Sequence, residues 1–438
     1  MAEQISFVII ATGADEDAPG TFTSLAERRV RSLVRRFNKE KGSATALVKP
    51  PARVRFIYYD FESNAASVYG HPFPEKGLKK PPGTIKWQTL ALFDTDSDTP
   101  AGIEAGEGGG DNDPTSFADE PGALVAGGAT KCSIVNIYHT VRAAPRASVL
   151  EVSLFSHGFV QGPVLANTTD RKLSLADGTP QRTPEDQDGR VRTDFLPHMG
   201  ESPTGAGKDA LKEFAGGFAA GGTLRIYGCN VQDVVDVAPV GGSAPSYIRS
   251  TVRQVLRQAF TKRLKKKDAI TKKLRAGKIP TDALELDMGE ECDIEASLTD
   301  HAFTHFPSAR LLEIHYAIDP AFFGGATTRK ISKTLSEVIK FVARETAKAY
   351  VFKAAEALPD VTCFGAVPGT GGNFEDSKLT DAMMWVSRDN NEGNGPYLQF
   401  FESFMGVSVT EKNAERQRNY GVFNAAAVTA IKDRITGS

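Results

Sequence analysis

The sequence predicts an α/β fold, with a mostly parallel central sheet flanked by helices, loop insertions and a helical C-terminal extension. Three observations predict it. Short apolar runs of strand length alternate with helical periodicity. Two of those runs are separated by a helical segment, the βαβ pattern that produces parallel pairing. Apolar residues make up 40% and charged residues 24% of the chain, the balance of an ordinary globular protein.

Element by element, Ile5–Ala11 reads as a strand and Ser24–Phe37 as a basic amphipathic helix, with Leu25, Val30, Leu33 and Val34 on one side. Val54–Tyr59 is a second strand, ended by Asp60. A loop-rich stretch containing Pro72, Pro74, Pro81 and Pro82 follows, then an extended segment over Trp87–Phe93. Residues Asp94–Gly128 are rich in Gly, Asp and Pro and read as a surface loop. Ile134, Ile137, Tyr138 and Val141 share one face of a helix leading into the strand Val149–Ser156. Asp209–Phe218 reads as a helix closed by Gly221 and Gly222, leading into Thr223–Gly228. Beyond it come a long basic helix or helix pair over Ser246–Arg275, a strand over Arg310–Ala317 and a long helix over Thr327–Ala357. A buried strand, Val361–Val367, and a final helix near Ala414–Ile435 complete the reading. The predicted organisation is an α/β core over residues 1–245, a basic helical insertion over 246–300, a continuation of the core over 301–375 and a mixed extension over 376–438.

Charge and composition narrow the function. With 52 Lys and Arg against 54 Asp and Glu, the formal net charge of −2 directs the chain neither to nucleic acid nor to membrane. The four cysteines are too few and too scattered for a disulfide framework, and no Cys-x-x-Cys is present. The N-terminal run lacks a basic n-region, and no stretch approaches the roughly 20 apolar residues of a membrane span, so the expected location is cytoplasmic. The basic segment from Arg249 to Arg275 has one interleaved aromatic, Phe260, and reads as a helix with a solvated basic side rather than a nucleic-acid surface.

The candidate chemistry lies at two strand ends. Val149–Ser156 runs into His157-Gly158, and Thr223–Gly228 runs into Cys229-Asn230. If the strands are parallel neighbours, imidazole and thiol meet at their carboxyl ends. A cysteine thiol, with an ordinary pKa of roughly 8.5, attacks well when a neighbour favours the thiolate. His157 can do this and then protonate a leaving amine. The adjacent glycines let a substrate approach the backbone, and the N–H groups of Gly158 and Cys229 are natural oxyanion donors.

On Phe155-Ser156-His157-Gly158 and Tyr227-Gly228-Cys229-Asn230, the chain resembles the caspase-like cysteine peptidases, which include caspases, metacaspases, gingipains and their bacterial relatives. The resemblance implies a caspase-like fold and a peptidase acting on a protein or peptide, with His157 and Cys229 as catalytic pair and the Gly158 and Cys229 amides as oxyanion hole. The stretch between the two motifs is longer than in caspases, and Asn230-Val231-Gln232 lacks the small residue common after the nucleophile. Asp233 and Asp236 are candidate lining for a pocket that takes a basic side chain, or else caps of the helix that follows. No cofactor is required. Calcium is a candidate on Asp186, Asp188 and Asp194, although that loop misses the EF-hand register, its first position falling on Pro184 and its twelfth on Phe195.

Two alternatives remain. A Cys-nucleophile α/β-hydrolase acting on an ester or amide would use Cys229 with His301, His305 or His315, but Tyr227-Gly228-Cys229-Asn230-Val231 has glycine at neither position the nucleophile elbow requires. The other is an inactive caspase-like module that binds a protein or nucleic acid through the basic helix.

Overall fold

The computed structural model describes residues 5–13, 20, 22–40, 53–72, 84–90, 132, 134–159, 162–165, 207–228, 251–252, 254–256, 258, 288–289, 291–295, 321–322, 330–368, 397–398, 400–409 and 420–437. Strand β1, Ile5–Thr12, is apolar over five consecutive residues, and Phe7 to Ala11 are all buried. Such an unbroken run belongs to a strand covered on both faces, and β1 lies inside the sheet between two parallel neighbours. Helix α1, Thr23–Glu40, follows it and lays Leu25, Ala26, Val30, Leu33, Val34 and Phe37 on the sheet. Strand β2, Arg53–Asp60, then returns beside β1.

Strand β3, Ala65–Pro72, turns back antiparallel on β2, and β4, Gln88–Leu90, pairs antiparallel with β3. The turn between β2 and β3 is set by Asp60, whose carboxylate accepts from the Glu62 and Ser63 amides and the Ser63 hydroxyl. Asn64 closes it at φ +52°, a left-handed conformation that asparagine tolerates.

Helix α2, Ile134–Ala143, leads into β5, Val149–Phe155. A small hairpin follows, β6 His157–Phe159 against β7 Gly162–Val164. Helix α3, Gly207–Gly217, leads into β8, Phe218–Tyr227. Strands β9, Glu291–Glu295, and β10, Lys330–Thr334, form a separate antiparallel ribbon. Helix α4, Leu335–Lys348, and helix α5, Tyr350–Ala357, precede β11, Thr362–Ala366. A π-helical turn at Phe401–Met405, strands β12 (Ser408–Val409) and β13 (Tyr420–Phe423), and helix α6, Ala425–Thr436, complete the order.

The main sheet has nine strands in the order β12-β13-β11-β8-β5-β1-β2-β3-β4. It is mixed, not mostly parallel as the sequence pattern suggests. The five strands β11, β8, β5, β1 and β2 are parallel, and each edge carries an antiparallel pair. At the β2–β3 edge the physical reason is connection length. Strands joined through a crossover helix come out parallel, whereas the four-residue turn between β2 and β3 permits only an antiparallel return.

Three further elements depart from the sequence reading. The α3 helix stops at Gly217, and Phe218, Gly221 and Gly222 belong to β8, where Gly221 adopts φ +76°. The segment read as one helix over Thr327–Ala357 is a strand followed by two helices, divided at Ala349, where an extended backbone ends α4. The predicted final helix near Ala414–Ile435 contains β13 before α6 begins behind its cap, Asn424, whose side chain accepts from the Ala427 amide.

Two cores hold the sheet. On one face Val8, Ile10, Val54, Phe56, Tyr58, Phe155 and Tyr227 pack with α1. On the other, Phe7, Ile9, Val152, Leu154, Leu224 and Ile226 join the apolar faces of α2, α3, α4, α5 and α6. Among the described residues no helix is long and apolar enough to cross a membrane.

Candidate active site at the carboxyl ends of β5 and β8

β5 and β8 are adjacent and parallel, in a register that sets Leu154 beside Ile226 and Phe155 beside Tyr227. The ladder runs to the strand ends, where the Ser156 amide donates to the Tyr227 carbonyl at 3.3 Å and the Gly13 amide donates to the Phe155 carbonyl at 2.7 Å. The carboxyl ends of β1, β5 and β8 are thereby tied side by side. The strand order also reverses here, since β1 is followed by β2 on one side while β5 and β8 lie on the other. In open α/β sheets, ligands bind outside the carboxyl ends at such a reversal.

Side-chain alternation gives this end a defined α1-facing surface. Phe155 and Tyr227 stack with centroids 4.5 Å apart, and Tyr420 of β13 meets the Tyr227 ring edge-on at 5.5 Å. Both stacked rings are buried. The Tyr227 hydroxyl has no hydrogen-bond partner among the described residues.

One turn of strand below that aromatic rung lies a buried ionic cluster. Glu151 of β5 accepts from the Arg29 Nε and a second guanidinium nitrogen, both at 2.6 Å, and from Arg225 Nε of β8 at 3.1 Å. The Ser153 hydroxyl donates to the same carboxylate, and Thr223 Oγ1 lies 3.4 Å away. Burial works to raise the Glu151 pKa, but the two guanidinium groups outweigh it and hold the carboxyl at about 2. The Arg29 guanidinium also lies 5.7 Å from the Tyr227 ring centroid, and that of Arg225 lies 3.9 Å over Phe364. The cluster joins α1, β5 and β8, the three elements beneath the candidate site.

His157 opens the β6–β7 hairpin, with His157 opposite Val164, Gly158 opposite Pro163 and Phe159 opposite Gly162. Gly158 is buried. Gly162 adopts φ +152°, a region open to glycine, which suits the tight return of the hairpin. Cys229 lies outside the described residues, two positions past Tyr227. So do the pocket candidates Asp233 and Asp236, the calcium candidates Asp186, Asp188 and Asp194, and the alternative bases His301, His305 and His315. Among the described residues no three His, Cys, Asp or Glu side chains form a metal-holding group.

The other cysteines differ from what a nucleophile needs. Cys132, Cys292 and Cys363 are buried, and none forms a disulfide among the described residues. Burial, with Asp60 nearby, pushes the Cys132 thiol up to about 12, and burial pushes the Cys363 thiol up as well. Neither environment favours a thiolate.

Sequence reasoning missed the Arg29–Glu151–Arg225 cluster. Its signal was present: a carboxylate and a serine alternate with apolar residues inside a strand, Val149–Phe155, that is otherwise core. A charge in that position requires a partner. No family model matches the chain, no curated protein matches it, and no solved structure matches it.

Proposed function

We propose that the chain is a cysteine endopeptidase with a caspase-like core, in which Cys229 is the nucleophile and His157 the proton carrier. One observation carries the reading: β5 and β8 are parallel neighbours whose last shared rung, Phe155–Tyr227, stands two residues before each reactive side chain. Two residues of chain span at most about 7 Å, and adjacent strands lie about 4.8 Å apart. Chain length therefore permits thiol and imidazole to meet, each lying within about 7 Å of neighbouring strand ends, and this supports the pairing.

The chemistry balances as acyl transfer. His157 takes the Cys229 proton, the sulfur adds to the scissile carbonyl carbon, and the oxyanion is met by the N–H groups of Gly158 and Cys229. The C–N bond then breaks, with the proton delivered from His157 to the leaving amine. Water, deprotonated by His157, hydrolyses the thioester and restores the thiol. Asp233 and Asp236 are the candidates for a pocket that takes a basic side chain, and Asp186, Asp188 and Asp194 those for an activating calcium ion.

Incubating the purified chain with a peptide library, with and without calcium, and reading products by mass spectrometry tests the activity and its specificity. Cys229→Ala and His157→Ala abolish cleavage under this reading, while His315→Ala leaves it intact. An unchanged rate in Cys229→Ala refutes it. Loss in His315→Ala with retention in His157→Ala transfers the assignment to the α/β-hydrolase mechanism.

A further inference from the structure

At the opposite end of the sheet, where β5 and β8 begin, α2 and α3 border a solvent-open cavity of about 220 Å³. Its lining includes Arg142, Arg146 and Lys212, with Glu213, Gly216 and Gly217. That volume falls below the roughly 300–1,000 Å³ of sites for drug-sized organic ligands, so the occupant is small.

The three cations differ in their commitments. Arg142 is held by Glu213, with Nε at 3.1 Å and a second nitrogen at 2.7 Å from one carboxylate oxygen. Neither Arg146 nor Lys212 has an ion-pair partner among the described residues. Arg146 runs across Gly216, where an added Cβ would lie 3.8 Å from its Nε and 3.9 Å from a terminal nitrogen. Among the described lining residues, three positive groups against one carboxylate leave a surplus of two charges.

Basic residues near helix carboxyl ends commonly serve the unpaired carbonyls there. Here three of those carbonyls are taken by backbone amides. The Ala147 amide donates to Gly216 O at 2.8 Å, the Ser148 amide to Gly217 O at 3.0 Å, and the Ala144 amide to Thr140 O at 3.1 Å. The turn that makes these bonds holds Ala147 at φ +59°, a left-handed conformation that a residue with a Cβ seldom adopts. Strained backbone of this kind is characteristic of ligand clamps. Arg146 immediately precedes it. Arg146 is thus presented by a turn held in a seldom-adopted conformation, beside Arg142 of α2 and Lys212 of α3.

We infer that Arg142, Arg146 and Lys212 form a binding site for a phosphate group. A dianion matches the surplus charge, and a guanidinium fork matches phosphate oxygens. Among the described residues the cavity lining has no aromatic ring on which a nucleobase would stack. The site is independent of the cleavage chemistry proposed at the other end of the sheet.

Calorimetric titration of the full chain with inorganic phosphate at low ionic strength tests it. One saturable site is expected. Arg146→Gln and Lys212→Gln each weaken it about tenfold, as the loss of one charge-assisted contact of about 1.4 kcal/mol requires, and the double variant removes it. Glu213→Gln tightens it by releasing Arg142. A phosphoserine peptide that binds more tightly than inorganic phosphate identifies a phosphorylated side chain as the ligand, and one that binds no better identifies the free anion. Absence of saturable binding to the native chain, or undiminished binding in a folded Arg146→Gln/Lys212→Gln variant, overturns the proposal.

Discussion

Replacing Glu151 with glutamine removes the carboxylate charge between Arg29 and Arg225 while nearly preserving shape. The carboxyl is held at about 2 against an ordinary 4.5. At roughly 1.4 kcal/mol per pK unit, that difference corresponds to about 3 kcal/mol of stability. The figure agrees with the roughly 3–5 kcal/mol lost when one partner of a buried ion pair is deleted. Glu151 is 2% exposed, so salt screens the cluster little. Because the folded-state pKa is depressed, this stability is fully present above pH 4.5 and is lost as pH falls through about 2. Urea unfolding of native and Glu151→Gln chains at a series of pH values from 7 to 2 reads both effects. The variant is expected to lose about 3 kcal/mol at pH 7 and to show a flatter pH dependence across the acid window. A combined Arg29→Met, Glu151→Leu, Arg225→Leu chain should recover most of the loss, since no buried charge is then left unpaired. A deficit under about 1 kcal/mol at pH 7, within the range of an exposed pair, refutes the account.

Tyr227→Phe is expected to raise stability by about 1–3 kcal/mol, because it deletes a buried hydroxyl with no partner among the described residues; a lower unfolding midpoint would show that the hydroxyl is satisfied. Gly217→Ala should destabilise by several kcal/mol, on the order of an overpacked core site, since its Cβ would stand 2.3 Å from the Val141 carbonyl oxygen; an unchanged thermal midpoint contradicts the packing of α2 on α3. Burial, with Arg142 nearby, lowers the His139 pKa to about 4. The neutral ring therefore contributes stability that is present above pH 6.5 and is lost as pH falls through about 4. His139→Asn should flatten the midpoint-versus-pH curve between those values, and an unaltered curve would assign the dependence elsewhere.

Most of the parallel centre was legible because its strands are buried on both faces. Ile5–Thr12 and Val149–Phe155 announce themselves as short apolar runs, and α1 and α2 by their periodicity. The antiparallel edges were not legible, for a reason that particular residues show. In β3, Ala65–Pro72, small and polar residues sit beside Pro72, and the strand exists through its pairing with β2 rather than through propensity. Its readable sign was the Asp60–Asn64 turn. Likewise the boundary between β10 and α4 is a capping box: the Thr334 hydroxyl accepts from the Glu337 amide, and Glu337 reaches back to the Thr334 amide. That Thr-x-x-Glu spacing is visible in the sequence and marks the helix start seven residues after Thr327. At the candidate site, the strand-end motifs were legible because glycine and a reactive residue terminate an apolar run. The ionic cluster was not, because Arg29 and Glu151 are 122 residues apart and only the fold brings them together.

Strand β11 acquires its outer neighbour late. It pairs with β8 on one side, and on the other with β13, where Gly365 lies opposite Gly421. About 50 residues separate the two strands, and at a synthesis rate of about 5–20 residues per second that is roughly 3–10 s of translation. For that interval the outer edge of β11 carries unpaired N–H and C=O groups, a ready template for pairing with another chain. A ribosome slowed between residues 366 and 420 would lengthen the exposure. The yield of folded protein would then depend on the speed at which this stretch is made, although no residue in it changes.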